Sequence, residues 1–89
     1  MITHDARQQV FHLELDGNRA VVEYHLSGNV MTITHTRVPD AIAGRGLAAD
    51  LNQAALEHAR QSGWVVVPGC SYTEAYIRRH PRYQDLVME

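Results

Sequence analysis

The chain has no lysine; arginine supplies all eight basic residues, against ten Asp and Glu and a net charge of −2. Without a surplus of clustered positive charge, a general nucleic-acid surface is not expected. A single cysteine, Cys70, excludes an internal disulfide, and a free thiol suits a reducing, cytoplasmic setting. No apolar run is long enough to cross a membrane, and the polar start, Met1 to Gln9, lacks the pattern of a signal peptide. Repeats, low-complexity stretches and linkers are missing too, so residues 1–89 are expected to form one small domain. What is present is an ordinary globular mixture, 45% hydrophobic and 20% charged, which argues against disorder.

Three segments alternate with period two. Phe11, Leu13 and Leu15 oppose His12 and Glu14; Ala20, Val22, Tyr24 and Leu26 line one side of Arg19 to Leu26; and Met31, Ile33 and His35 alternate with Thr32, Thr34 and Thr36 in Val30 to Val38. Asp16-Gly17-Asn18 and Ser27-Gly28-Asn29 carry turn chemistry between them, so an antiparallel meander is expected. After Pro39 the period lengthens. Leu47, Leu51, Ala54, Ala55, His58 and Ala59 share one side of a helical wheel, opposite Asp50, Gln53, Glu57, Arg60 and Gln61, with Gly63 as the stop. Leu56 falls outside that stripe, which allows a wider apolar face. Trp64 to Val67 is a short apolar strand, and a right-handed crossover sets it parallel to the third. Tyr72 to Arg79 is expected to be helical, and a further helical segment follows His80-Pro81. The fold class is therefore α/β (α+β): a three-stranded meander, a crossover helix, a parallel fourth strand and a C-terminal helix.

The most informative stretch is Val38-Pro39-Asp40-Ala41-Ile42-Ala43-Gly44-Arg45-Gly46-Leu47-Ala48, where a strand passes through two glycines into a helix. Glycine admits close approach of a ligand to the backbone, and unpaired N–H groups at a helix start favour an anion such as pyrophosphate. Arg45 offers a charge-assisted contact to phosphate. A tight connection with no ligand explains the same pattern, and neither a third glycine nor a Gly-Lys-Ser/Thr run is present.

With His35-Thr36-Arg37-Val38-Pro39, Gly44 to Leu51, Val66-Val67-Pro68-Gly69-Cys70-Ser71-Tyr72 and Tyr76-Ile77-Arg78-Arg79-His80-Pro81-Arg82-Tyr83 in this order, the chain resembles the GNAT superfamily of N-acetyltransferases. More narrowly, it resembles the compact branch of about ninety residues. Where the superfamily carries Gln or Arg three residues before the first glycine, this chain has Ala41. The resemblance implies that acetyl-CoA (coenzyme A) binds along Arg37 and Val38 and over Ala43, Gly44, Arg45, Gly46, Leu47 and Ala48. It also implies transfer of acetyl to an amine that the sequence does not identify, and in that branch Cys70 and His35 occupy positions put forward as catalytic.

Cys70 is open to three readings: a nucleophile, a wall of the acetyl pocket, or a small packed hydrophobe. His35, expected to face inward with Met31 and Ile33, is either a base or a hydrogen-bonded core residue. Because His12 and His25 are expected on the other face of the sheet, no metal collects all three; His4, His58 and His80 are scattered. Tyr72 and Tyr76 share a helix face, as proton donors or as packing, and Arg78, Arg79 and Arg82 form either a phosphate contact or a solvated helix end. Competing with an enzyme are a non-catalytic acyl-CoA-binding or adaptor module on the same fold and an interaction domain without cofactor. The acceptor is expected to be small or presented by a partner that completes the cleft, and the open meander edge is where a partner protein or a second copy is expected to dock.

Overall fold

In a computed structural model that describes residues 1–88, the alternating segments become strands close to the expected bounds. The elements run β1 (Thr3–Asp5), β2 (Val10–Leu15), β3 (Asn18–Ser27), β4 (Val30–Arg37), a 3-10 turn (Asp40–Ile42), α1 (Leu47–Ser62), β5 (Val65–Pro68), α2 (Ser71–Arg79) and a 3-10 segment (Pro81–Leu86). Glu89, included in the single-domain expectation, lies outside the described residues. One sheet orders the strands β1-β2-β3-β4-β5, antiparallel except for the parallel pair β4 and β5 joined through α1.

Both helices pack on one face of this sheet. The core between them holds Phe11, Leu13, Ala20, Val22, Tyr24, Met31, Ile33 and Val66 from the strands and Leu51, Ala55, Leu56, Ala59, Tyr76 and Ile77 from the helices. The buried stripe of α1 is Leu51, Asn52, Ala55, Leu56 and Ala59. Relative to the expected stripe it is rotated by about 60° on a wheel of 100° per residue. The cause is α2, which lies beside α1 and covers the flank that carries Asn52 and Leu56.

The strand β1 was not expected. Its three residues, Thr-His-Asp, are too few and too polar for periodicity to reveal. It pairs with β2 and so covers the meander edge that had been expected to stand open. At the other side of the sheet, Val87 bridges to Val66 and the Met88 N–H donates to the Val66 carbonyl at 2.9 Å, covering the edge of β5.

Candidate functional site

Two departures from regular pairing build the site. Between β4 and β5 the pairing ends at Ile33 opposite Pro68, although β4 runs on to Arg37. Beyond Gly69 the chain turns away into α2, leaving β4 residues 34–37 without a strand neighbour on that side. The second departure is a β-bulge. Val22 pairs with Thr36 and Glu23 with His35, but Tyr24 pairs with Ile33, so Thr34 is an extra residue. An extra residue reverses the in-out alternation for everything after it.

The bulge corrects the expectation for His35. Thr36, not His35, follows Met31 and Ile33 onto the helix-covered face, and His35 points to the bare face. Its side chain is 57% exposed, with Nδ1 3.4 Å from Glu23 Oε1. The same reversal sets His35 on the face that carries His12 and His25, at different registers: opposite Glu23, Val21 and Thr32 respectively. No three His, Cys, Asp or Glu side chains converge among the described residues.

Cys70 lies on the other side of the sheet. It precedes α2, and its Sγ is 3.6 Å from Thr36 Oγ1. His35 and Cys70 therefore face opposite sides and do not form a base–thiol pair. Burial, the largest influence on the thiol, pushes its pKa up. The Thr73 backbone N–H, the Thr36 hydroxyl and the Tyr72 backbone N–H outweigh it, and the thiol lies below its ordinary value.

Behind Cys70 is a polar network that the sequence reading missed. Asn52 and Thr73 are fully buried, each at 0% exposure, and every buried side-chain polar atom among the described residues has a partner. Asn52 Nδ2 donates to the Ala48 carbonyl at 2.9 Å and to Thr36 Oγ1 at 3.2 Å, while Thr73 Oγ1 donates to Asn52 Oδ1 at 2.6 Å. Counting hydrogens gives a direction. A carbonyl only accepts, so Ala48 fixes which end of the Asn52 amide is nitrogen. Thr36 Oγ1 then accepts from Asn52, and at its 3.6 Å contact with Cys70 the thiol donates to that oxygen, whereas a thiolate would accept from the Thr36 hydroxyl. Such a donor favours the thiolate over the thiol. Asn52 and Leu56, four apart on one helix flank, were the available signal.

The glycine turn completes the site. Gly44 and Gly46 take φ of +81° and +76°, in the left-handed region, and a Cβ built at either meets no protein atom within 4 Å. No side chain caps α1, whose first bond runs from the Asp50 N–H to the Gly46 carbonyl. The N–H groups of Leu47, Ala48 and Ala49 are therefore left without acceptors inside the helix. Arg45 pairs with Asp16 of the β2–β3 turn at 3.1 Å, so its guanidinium is held across the turn. Ala43 ends the 3-10 turn, Val38 packs against the core and Arg37 stands 3.9 Å from Glu23. Tyr76 is buried and stacked on His80, ring centroids 4.0 Å apart, whereas Tyr72 is exposed. Arg82 pairs with Glu57 at 3.1 Å and Arg78 approaches Glu74 at 3.8 Å.

The family model described as GCN5-related N-acetyl-transferase matches residues 10–86. Human protein NATD1 is 35% identical, the match covering 96% of this chain and 78% of the human protein. Chicken NATD1 is 34% identical over the same share of this chain and 80% of its own. Among solved structures, the NMR solution structure of a GCN5-like protein from Staphylococcus aureus superposes with a TM-score of 0.78 at 27% identity, covering 99% of this chain and 87% of the other.

Proposed function

The chain belongs to the GCN5-related N-acetyltransferase family, and from that premise we propose that it binds acetyl-CoA in the split between β4 and β5 and passes the acetyl group to an amine. The observation that carries this is the split itself, running from the unpaired edge of β4 into the Gly44–Gly46 turn. The residues fit the group. Unpaired main-chain groups of Thr34 to Arg37 suit an extended amide-bearing arm, and the open space at both glycines with the free N–H groups of Leu47 and Ala48 suits a pyrophosphate. Bound acetyl-CoA supplies an activated thioester.

The chain's own residues then divide the work by face. On the helix side, Cys70, Thr36, Asn52 and Thr73 close the floor of the split, so an acceptor reaches it from the bare face, where His35 stands ready to take the amine's proton. Nothing in this arrangement requires His35 to act on Cys70. Replacing His35 by Gln is expected to cut acetyl transfer by roughly 10²-fold or more, the size of a general-base contribution, with CoA affinity retained. Unchanged turnover across pH 6 to 9 removes His35 from the reaction. The separation of His35 from Cys70 also favours a second reading, a non-catalytic acyl-CoA-binding module.

Calorimetric titration with CoA and acetyl-CoA tests the proposal, and absence of saturable heat overturns it. In the same experiment Cys70→Ala is expected to hold CoA affinity within about tenfold, or about 1.4 kcal/mol, as suits a wall residue. Rapidly quenched mass spectra then distinguish the thiol's roles: an acetyl mass gained by the wild type and lost in Cys70→Ala marks a nucleophile.

A further inference from the structure

Two histidines far apart in sequence meet at the sheet edge. His4 of β1 stacks on Phe11 of β2, ring centroids 4.1 Å apart and planes within 2°, and lies edge-on to His58 of α1 at 4.4 Å. Its Nε2 is 2.6 Å from the Tyr24 hydroxyl. His58 is in turn edge-on to Trp64 at 5.1 Å. These rings are the aromatic contacts of β1, a three-residue edge strand whose sheet partner is β2. An edge strand this short is marginal, so its side-chain contacts decide whether it stays docked.

We propose that His4 and His58 form a pH-sensitive latch that fastens β1 to α1 at neutral pH and releases it on acidification. A neutral His4 ring packs edge to face on His58 at this distance, whereas a charged one would lose solvation inside this partly buried cluster. The titratable groups facing His4 are Asp5 of its own strand, Tyr24 of β3 and His58 of α1; from β2 it meets the Phe11 ring. Burial first, then His58, lowers the pKa of His4, while Asp5 acts weakly the other way. The sign follows. A histidine whose docked pKa lies below its ordinary value of 6.5 stabilises docking fully above that value, and the contribution is lost as pH falls through the docked pKa.

Release has a structural consequence. Ile2, next to the latch, forms one wall of a groove of about 620 Å³ whose other apolar walls are Met1, Leu13, Leu15, Leu47 and Ala54. Undocking β1 bares both this apolar strip and the outer edge of β2, a row of backbone groups open to strand pairing. The latch is independent of acetyl transfer and stands or falls without it.

Amide hydrogen exchange by NMR at pH 7.5 and pH 5.0 tests it, with protection referred to unstructured rates so that intrinsic pH dependence cancels. Protection across the β1–β2 pairing is expected to fall severalfold, to about tenfold, relative to β3–β4 amides. In His58→Phe, which keeps a ring and removes the neighbouring charge, the fall is expected to be smaller than in the wild type but not abolished, because His4 stays buried. His4→Phe, read the same way, covers the case in which the first variant repacks. A wild-type ratio that does not change with pH overturns the latch, as does an undiminished fall in both variants.

Discussion

Gly46→Val is expected to eliminate measurable CoA binding while the domain still folds, with a melting temperature lower by several degrees. Both effects follow from one dihedral angle. At φ of +76° a β-branched residue is strained by roughly 1–2 kcal/mol. In a domain of this size, that corresponds to about 4–8 °C per kcal/mol. A Cβ at this position meets no protein atom within 4 Å, so the added side chain occupies open space at the turn next to the free N–H groups of Leu47 and Ala48, where a phosphate would approach. Strain and obstruction are separated by a control inside the same helix. Gly63, at the C-terminal end of α1, has φ of +75° and is equally free of neighbours. Gly63→Val should therefore share the fall in melting temperature and keep the heat of CoA binding. Equal loss of binding in both variants would assign the effect to weakened folding and remove the turn from the cofactor site.

The main elements were legible because each was long enough for its period to show, and the Gly44–Gly46 turn was legible as a strand-to-helix connection. Three features were not, each for its own reason. Strand β1 is three polar residues with no period, and its place depends on His4 meeting Phe11 and His58, which are distant in sequence. His35 was set on the wrong face because strict alternation from Met31 and Ile33 carries no sign of an inserted residue; the bulge depends on how Glu23 and Tyr24 pair across the sheet. Asn52 lay outside the expected apolar stripe because the wheel considered one covering surface, whereas α1 is covered by the sheet and by α2. The same effect explains Leu56, which the stripe excluded and the core contains.

The network around Asn52 leads to the other large expected effect. Asn52→Ala removes the partner of the Thr73 hydroxyl and the donor to Thr36 and Ala48, all in a region where Asn52 and Thr73 have no exposed surface. Each buried polar group left without a partner costs about 1–3 kcal/mol, so a fall in melting temperature on the order of 10 °C or more is expected. If hydrogen bonding is the cause, pairing Asn52→Leu with Thr73→Val should be less harmful than the sum of the single changes, since both partners become apolar together. A strictly additive result would show instead that shape alone matters there. Thr36→Val asks the chemical question at smaller cost to the fold. It keeps the branched shape of threonine and removes the hydroxyl that would donate to a Cys70 thiolate. The rate of Cys70 alkylation by iodoacetamide, followed from pH 6 to 10, reads the thiol's ionisation directly. Its midpoint is expected below the ordinary cysteine range in the wild type and higher in Thr36→Val, while Thr36→Ser, which restores the donor, returns toward the wild type. A purely structural role would lower the melting temperature and leave that midpoint in place. An unmoved midpoint in Thr36→Val would mean that the Tyr72 and Thr73 backbone N–H groups hold the thiol's ionisation without help from Thr36, and that Asn52 serves the packing of α1 against α2 alone.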